Sequence, residues 1–271
     1  MVSNIINFIK NNISWIKDIF TLLFILIATI ISILAYRRAR ATVLEPIRNE
    51  VIKKQSKILG ELLSFLSKYG DDIENGVDYI SLVTINTVLS LKELGFVFSN
   101  EGEISKNIKD HIEGWIPCGK SKILRDVEIV GIFSKDEEKD KQDMKRLRRE
   151  RYENAKKGII EIDKIYLTVE YRKFMKNWGE FTDNPFLPSN VKIVLEKICY
   201  EITTNLTVNL KNVLENFIKD YCNKYFIGED VSKFSPIGVY NEFNHNRIHH
   251  RLNVIILKNE IRKYLRIDEK W

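Results

Sequence analysis

Cysteine is scarce in this chain, and its scarcity narrows the chemistry and the compartment to be expected. The 271 residues include Cys118, Cys199 and Cys222 and no other cysteine. Three is an odd number, and the spacings fit neither a disulfide framework nor a zinc site. We therefore expect reduced thiols in a cytoplasmic setting, where they pack as small apolar side chains.

Charge is absent from one stretch, and this absence organises the rest of the chain. Residues 19 to 36 read IFTLLFILIATIISILAY and contain no lysine, arginine, aspartate or glutamate. As a helix they would extend roughly 27 Å, close to the ~30 Å hydrocarbon thickness of a bilayer. The sequence therefore predicts a single transmembrane helix over 19–36, preceded by a short amphipathic segment over 1–18.

Two other interpretations of this apolar run fit less well. A cleaved signal peptide would have a shorter apolar run and a small-residue cleavage site, whereas Tyr36 is followed by Arg37 and Arg38. The core helix of a soluble domain seldom continues this far without a strongly polar position. Both features favour a retained membrane span.

The residues that flank the run predict its orientation. Basic residues are concentrated on the C-terminal side: Arg37, Arg38, Arg40, Arg48, Lys53, Lys54 and Lys57. By the positive-inside rule, the N-terminus lies outside the cell membrane and the rest of the chain is cytoplasmic. We expect Trp15, Arg37, Arg38 and Arg40 to lie at the membrane interface, and Ala28 and Ser32 to offer a small-residue packing face within the span.

The part after the span is expected to fold mainly as α-helix. Its composition is that of a globular protein, with 44% hydrophobic and 30% charged residues over the whole chain. Apolar residues recur at helical spacing over 42–69, 77–94, 104–115, 162–178 and 191–221, and a final helix is expected from about Val239 or Ile248 to Leu265. The segment VEIVGIF at 127–133 is rich in β-branched residues, so we expect a small β-hairpin near 124–134.

These elements divide the chain into 37–134, with juxtamembrane and core helices, a charged helix or linker over 135–158, and a C-terminal helical region over 159–271. The stretch 37–271 can equally be one domain. The charged segment includes Lys145, Arg146, Arg148, Arg149 and Arg151. Since aromatic residues are not interleaved with these charges, a solvated helix is favoured and no nucleic-acid partner is expected.

Residues 114–121 match the sequence pattern of a phosphate-binding loop. Gly114, Gly119, Lys120 and Ser121 match G-x-x-x-x-G-K-[ST], which would wrap a nucleotide phosphate in backbone N–H groups. The context argues against it, because the residues before it have helical spacing and Pro117 removes one N–H donor. Nucleotide binding is kept as an alternative.

Histidine is also scarce, and three of the four histidines lie close together. On a helix, Glu242, His245 and His249 would share one face and could ligate a metal ion. The segment lacks the H-E-x-x-H order of zinc hydrolases, and a polar loop before the last helix explains it equally well. A metal-dependent membrane-tethered enzyme is therefore the second alternative.

No Ser/His/Asp or Cys/His nucleophile set and no internal repeat is evident, and the sequence leaves the cofactor unknown. The interpretation favoured by the sequence is a single-pass membrane protein whose cytoplasmic helical domain acts through protein interaction. One specific form is a defence or toxin-like effector that self-associates in the lipid bilayer.

Overall fold

The computed structural model describes residues 13–70, 72–98, 106, 108, 110–118, 137–231 and 235–267. The described part of the chain is mainly helical, with 78% of its residues in helix and a small antiparallel sheet of two strands. The predicted mainly α class is therefore confirmed. The hairpin predicted near 124–134 lies outside the described residues.

The chain forms two compact units, 1–57 and 58–271. In the first unit, helix α1 extends over Ile13–Ala39 and is followed by a π-helical segment over Arg40–Leu44. One helical stretch, Lys17–Lys68, is long and apolar enough to cross a membrane by length and composition, and none of its most apolar window is buried. Large side chains such as Phe20, Leu26 and Leu34 are exposed along it.

Helices form most of the second unit, which also includes the C-terminal part of α2. The described elements are α2 (Glu45–Lys68), α3 (Glu74–Val77), α4 (Tyr79–Glu93), strand β1 (Ile112–Pro117), α5 (Glu137–Lys156), strand β2 (Lys164–Thr168), α6 (Val169–Thr182), α7 (Ser189–Thr204), a π-helical segment (Asn205–Leu210), α8 (Lys211–Phe226), α9 (Pro236–Asn246) and α10 (Arg251–Leu265). Helix α4 is central, since it packs against α8, α9 and β2.

The sheet corrects two predictions of helix. Ile112 and Ile116 are four residues apart, a spacing that fits a helix turn and also twice the period of a strand. The structure has the strand: Gly114, Ile116 and Cys118 alternate as buried positions, and β1 pairs antiparallel with β2. The prediction of helix up to Trp115 is therefore wrong from Ile112 onward.

Residues 162–168 are likewise not helical. Ile165 and Leu167 are buried at alternate positions of β2, and helix begins only at Val169, where the Thr168 hydroxyl accepts a hydrogen bond from the Tyr171 N–H at 3.2 Å. The side-chain amide of Asn86 in α4 makes two hydrogen bonds to the backbone of Tyr166. It donates to the Tyr166 carbonyl at 2.8 Å and accepts from the Tyr166 N–H at 2.7 Å. A buried side chain thus satisfies backbone groups that a third strand would otherwise pair.

An aromatic cluster joins α2, α3 and α6. Three rings surround the ring of Phe174. The centroid distances from Phe174 are 5.5 Å to Phe65, 5.2 Å to Tyr69 and 5.5 Å to Trp178. Gly76 lies against this ring, and a Cβ atom there would be 2.4 Å from Phe174. The absence of a side chain at position 76 therefore sets how closely α3 approaches α6.

Gly76→Ala is expected to lower the free energy of unfolding by about 1 to 3 kcal/mol, since the added methyl group overpacks the core. Gly60→Ala is the matched control, because nothing lies within 4 Å of the added Cβ in α2 and helix propensity favours alanine by about 0.5 to 1 kcal/mol. Thermal unfolding of the purified full-length chain, followed by circular dichroism, measures both. Equal melting temperatures for Gly76→Ala and wild type would contradict the proposed contact.

Candidate functional site

A series of hydrogen-bonded, buried polar side chains, here called the polar chain, crosses the centre of the second unit. His250 is fully buried, and its ring bonds two partners: the Nδ1 atom lies 3.2 Å from a Glu201 carboxylate oxygen and Nε2 lies 2.8 Å from the Tyr79 hydroxyl. The carboxylate can only accept, so Nδ1 carries the proton and Nε2 accepts from Tyr79. Three elements distant in sequence, α4, α7 and the segment before α10, are joined by this chain.

Burial sets the protonation states of His250 and Tyr79 in the polar chain. Desolvation lowers the pKa of His250, and the hydrogen bond to Glu201 opposes this only in part. Desolvation also raises the pKa of Tyr79 far above its ordinary value. At neutral pH the imidazole of His250 and the phenol of Tyr79 are therefore both uncharged.

Two asparagines complete the hydrogen bonding. The Asn205 amide donates to the Tyr79 hydroxyl at 3.1 Å and to the Ile248 carbonyl at 2.9 Å, and its oxygen accepts from the Ile248 N–H at 2.7 Å. The Asn253 amide donates to the second oxygen of Glu201 at 2.5 Å. Because each of these buried groups is engaged by its neighbours, the chain is suited to holding the fold in register.

An ionic cluster lies beside this chain. The Arg247 guanidinium is buried, pairs with the Glu74 carboxylate and lies 3.7 Å from an Asp72 oxygen. Its Nε–H donates a hydrogen bond to the side-chain oxygen of Asn244 at 2.8 Å. It also lies over the Tyr79 ring, 5.2 Å from the centroid. Burial lowers the pKa of Arg247, and the neighbouring Asp72 charge opposes this shift.

The structure brings one of the predicted metal ligands into a cluster. Ligand atoms of His249, Asp72 and Glu74 all lie within 4.8 Å of one another. Glu242 and His245, predicted to share the site with His249, are exposed on α9 and are not members of this group. Arg247 already supplies positive charge to the two carboxylates, so the described residues fit an ion pair; a divalent cation here would have to displace the guanidinium.

The phosphate-loop pattern has its first half in β1. Gly114 is buried in the strand with φ of +88°, and Trp115, Ile116 and Pro117 are in register with Tyr166, Ile165 and Lys164 of β2. Backbone groups paired in a ladder do not wrap a phosphate, so the described half gives the nucleotide prediction no support. Gly119, Lys120 and Ser121 lie outside the described residues.

A small cavity of about 250 Å³ lies between α4, α5 and the segment before β2. Arg151 lies in its wall, pairs with Glu93 and lies 3.1 Å from an Asp163 oxygen. Glu93 also accepts a hydrogen bond from the Tyr166 hydroxyl at 2.8 Å. Of the basic residues in the charged segment, Arg151 thus serves an internal ion pair.

Other predicted positions lie in the first unit. Trp15, Arg37, Arg38 and Arg40 are exposed on α1 and at the start of the π-helical segment, and Ala28 and Ser32 are exposed one turn apart on α1. Among the cysteines, Cys118 and Cys222 are buried, and burial raises the pKa of the Cys118 thiol to about 12. Such thiols pack as apolar groups at neutral pH.

Sequence reasoning missed Tyr79, Glu201, Asn205 and His250 as a group. One signal was present: Glu201 and Asn205 are four residues apart on the apolar face that also carries Ile198, Ile202 and Leu206. Polar residues within an apolar stripe require buried partners. The partners themselves could not be named, because Tyr79 lies 126 residues from Asn205 in sequence.

Lowering the pH below about 6.5, the ordinary pKa of histidine, is expected to destabilise the second unit. His250 has a lowered pKa when folded, so below this value the unfolded chain binds a proton that the folded chain does not, and stability falls with pH. Urea unfolding at pH 7.5 and 5.5 measures the loss. His250→Gln should reduce this pH dependence, whereas the exposed His245→Gln should retain it; equal pH dependence in both variants would contradict the assignment.

No protein-family model matches the sequence, and neither the curated proteins nor the solved structures give a significant match.

Proposed function

We propose that this chain is a single-pass membrane protein whose helical domain works in the cytoplasm through association, including self-association in the bilayer. The observation that carries the proposal is the exposed apolar surface of α1. Side chains at Phe20, Leu23, Phe24, Ile27, Ile30 and Leu34 are all exposed. Residues 19–36 of this helix carry no charge, and an exposed uncharged stretch of this length is stable where lipid is its solvent.

The arrangement of polar groups favours association over catalysis. A catalytic centre needs groups that meet a substrate and whose pKa values suit proton transfer. Here His250 and Tyr79 are buried, hydrogen-bonded to one another and held uncharged. The carboxylates beside them, Asp72 and Glu74, face the buried guanidinium of Arg247.

The basic residues after the span support the orientation. Arg37 and Arg38 are exposed at the end of α1, and Arg40 is exposed at the start of the π-helical segment that follows. Each basic residue near an anionic leaflet contributes about 1 kcal/mol, and cytoplasmic flanks carry such residues in excess. This asymmetry supports the cytoplasmic placement proposed for the residues after the span.

Arginines introduced at the centre of the span are expected to release the protein from membranes. Each arginine in Leu26→Arg/Ile30→Arg costs about 2.5 to 3.5 kcal/mol at the bilayer centre. Extraction of membranes with alkaline carbonate should leave the wild type in the pellet and move the variant to the supernatant. Val97→Arg, at an exposed apolar position of the second unit, is the control and should stay in the pellet; extraction of the wild type would overturn the membrane assignment.

Self-association is expected to depend on the small residues of the span. Ala28→Leu/Ser32→Leu removes the close-approach face, so the dimer fraction should fall roughly tenfold in equivalent detergent or bilayer conditions. Ile27→Leu/Ile31→Leu conserves side-chain volume and is the control. Energy transfer between donor- and acceptor-labelled chains in vesicles measures association, and identical transfer in the two variants would rule out this packing face.

A further inference from the structure

Helix α10 has two apolar faces. One packs into the core through Val254, Leu257 and Ile261, which are fully buried. The other carries Leu252, Ile255 and Ile256, of which Leu252 is 68% exposed. A helix that packs on one side normally presents polar residues on the other, so the second apolar face of α10 is not explained by the fold.

Helix α7 extends this surface. The two helices lie side by side and antiparallel, as shown by hydrogen bonds from Asn190 to Glu260 at 2.8 Å and from Lys197 to Asn253 at 3.1 Å. Ile193 and Tyr200 flank Lys197 on α7 at helical spacing, and they are 63% and 72% exposed. We call this surface the outer face, comprising Ile193, Tyr200, Leu252, Ile255 and Ile256.

The charges around the outer face have a clear bias. On α10, Arg251, Arg262 and Lys263 are exposed. Glu260 is the one acidic residue of α10, and it accepts the hydrogen bond from Asn190. On α7, the exposed Glu196 lies 3.9 Å from Lys192. Basic and apolar side chains therefore share the outward side of α10.

We propose that the outer face binds the anionic surface of the bilayer that α1 crosses. Apolar side chains that enter the headgroup region, combined with lysine and arginine beside them, are the chemistry of helices that lie on membranes. The inference rests on the membrane anchoring proposed above. Anchoring also lowers the affinity that docking requires, since a tethered surface meets lipid at a high effective concentration.

Photo-crosslinking of the full-length chain in lipid nanodiscs tests the contact. A benzophenone amino acid replaces Leu252 in one sample and Ile237 in the control, since Ile237 on α9 is similarly exposed at 69%. Nanodiscs contain phosphatidylcholine alone or mixed with phosphatidylglycerol. Mass spectrometry should detect a lipid adduct at position 252 but not at position 237, with several-fold higher yield in the anionic discs.

Charge reversal separates specific docking from mere proximity. In anionic discs, Arg251→Glu/Lys263→Glu should lower the adduct yield at position 252 at least about fivefold, whereas Lys219→Glu/Lys224→Glu on α8 has the same net charge and should leave it unchanged. Equal yields at 252 and 237, no adduct at 252, or a crosslink between two chains in its place would each overturn the proposal. Retention in carbonate-extracted membranes is measured on the same samples. If the chain labelled at position 252 stays in the membrane but gives no lipid adduct, the outer-face contact alone is refuted, whereas loss of the chain from the membrane refutes the anchoring on which it rests.

Discussion

A buried carboxylate, Glu201, is the constraint on which the second unit depends. A charge removed from water costs several kcal/mol unless partners replace its hydration. The partners of Glu201 are His250 and Asn253, which lie about fifty residues away in sequence. His250 in turn forms a hydrogen bond with Tyr79. The hydrogen bonding is complete only when α4, α7 and α10 meet in one register, so this polar chain selects one packing among those that apolar contacts alone would allow.

Two adjacent histidines show how burial divides the chemistry of this region. His249 is exposed and shares a cluster with Asp72 and Glu74, whereas His250 is buried and uncharged between Glu201 and Tyr79. Arg247 lies between the two environments: its guanidinium faces the carboxylates and the ring of Tyr79. Arg247 and its two carboxylate partners thus form an ion-pair cluster that His249 joins, whereas His250 is committed to the hydrogen bonds with Glu201 and Tyr79.

Periodicity was sufficient to predict the long helices, because 191–221 and 77–94 carry apolar stripes over many turns. It failed at Ile112–Pro117 and Lys164–Thr168, where each strand is shorter than two helix turns and four-residue spacings fit either structure. The buried site was less accessible still. Glu201 and Asn205 marked one helix face, but nothing local to His250 or Tyr79 indicates that they meet, since that depends on how α4 and α10 pack.

The distribution of polar and apolar groups is the reverse of what a substrate-binding cleft usually shows. Binding clefts are concave and apolar, with a few convergent polar groups left to meet a ligand. In the described part of this chain the central polar groups bond to one another, while apolar side chains project outward from α1, α7 and α10. Surfaces of that kind gain free energy when lipid or another helix covers them. Covering the outward apolar side chains of α7 and α10 would therefore release free energy, and the buried polar chain, which joins α4, α7 and the segment before α10, fixes how these two helices pack together.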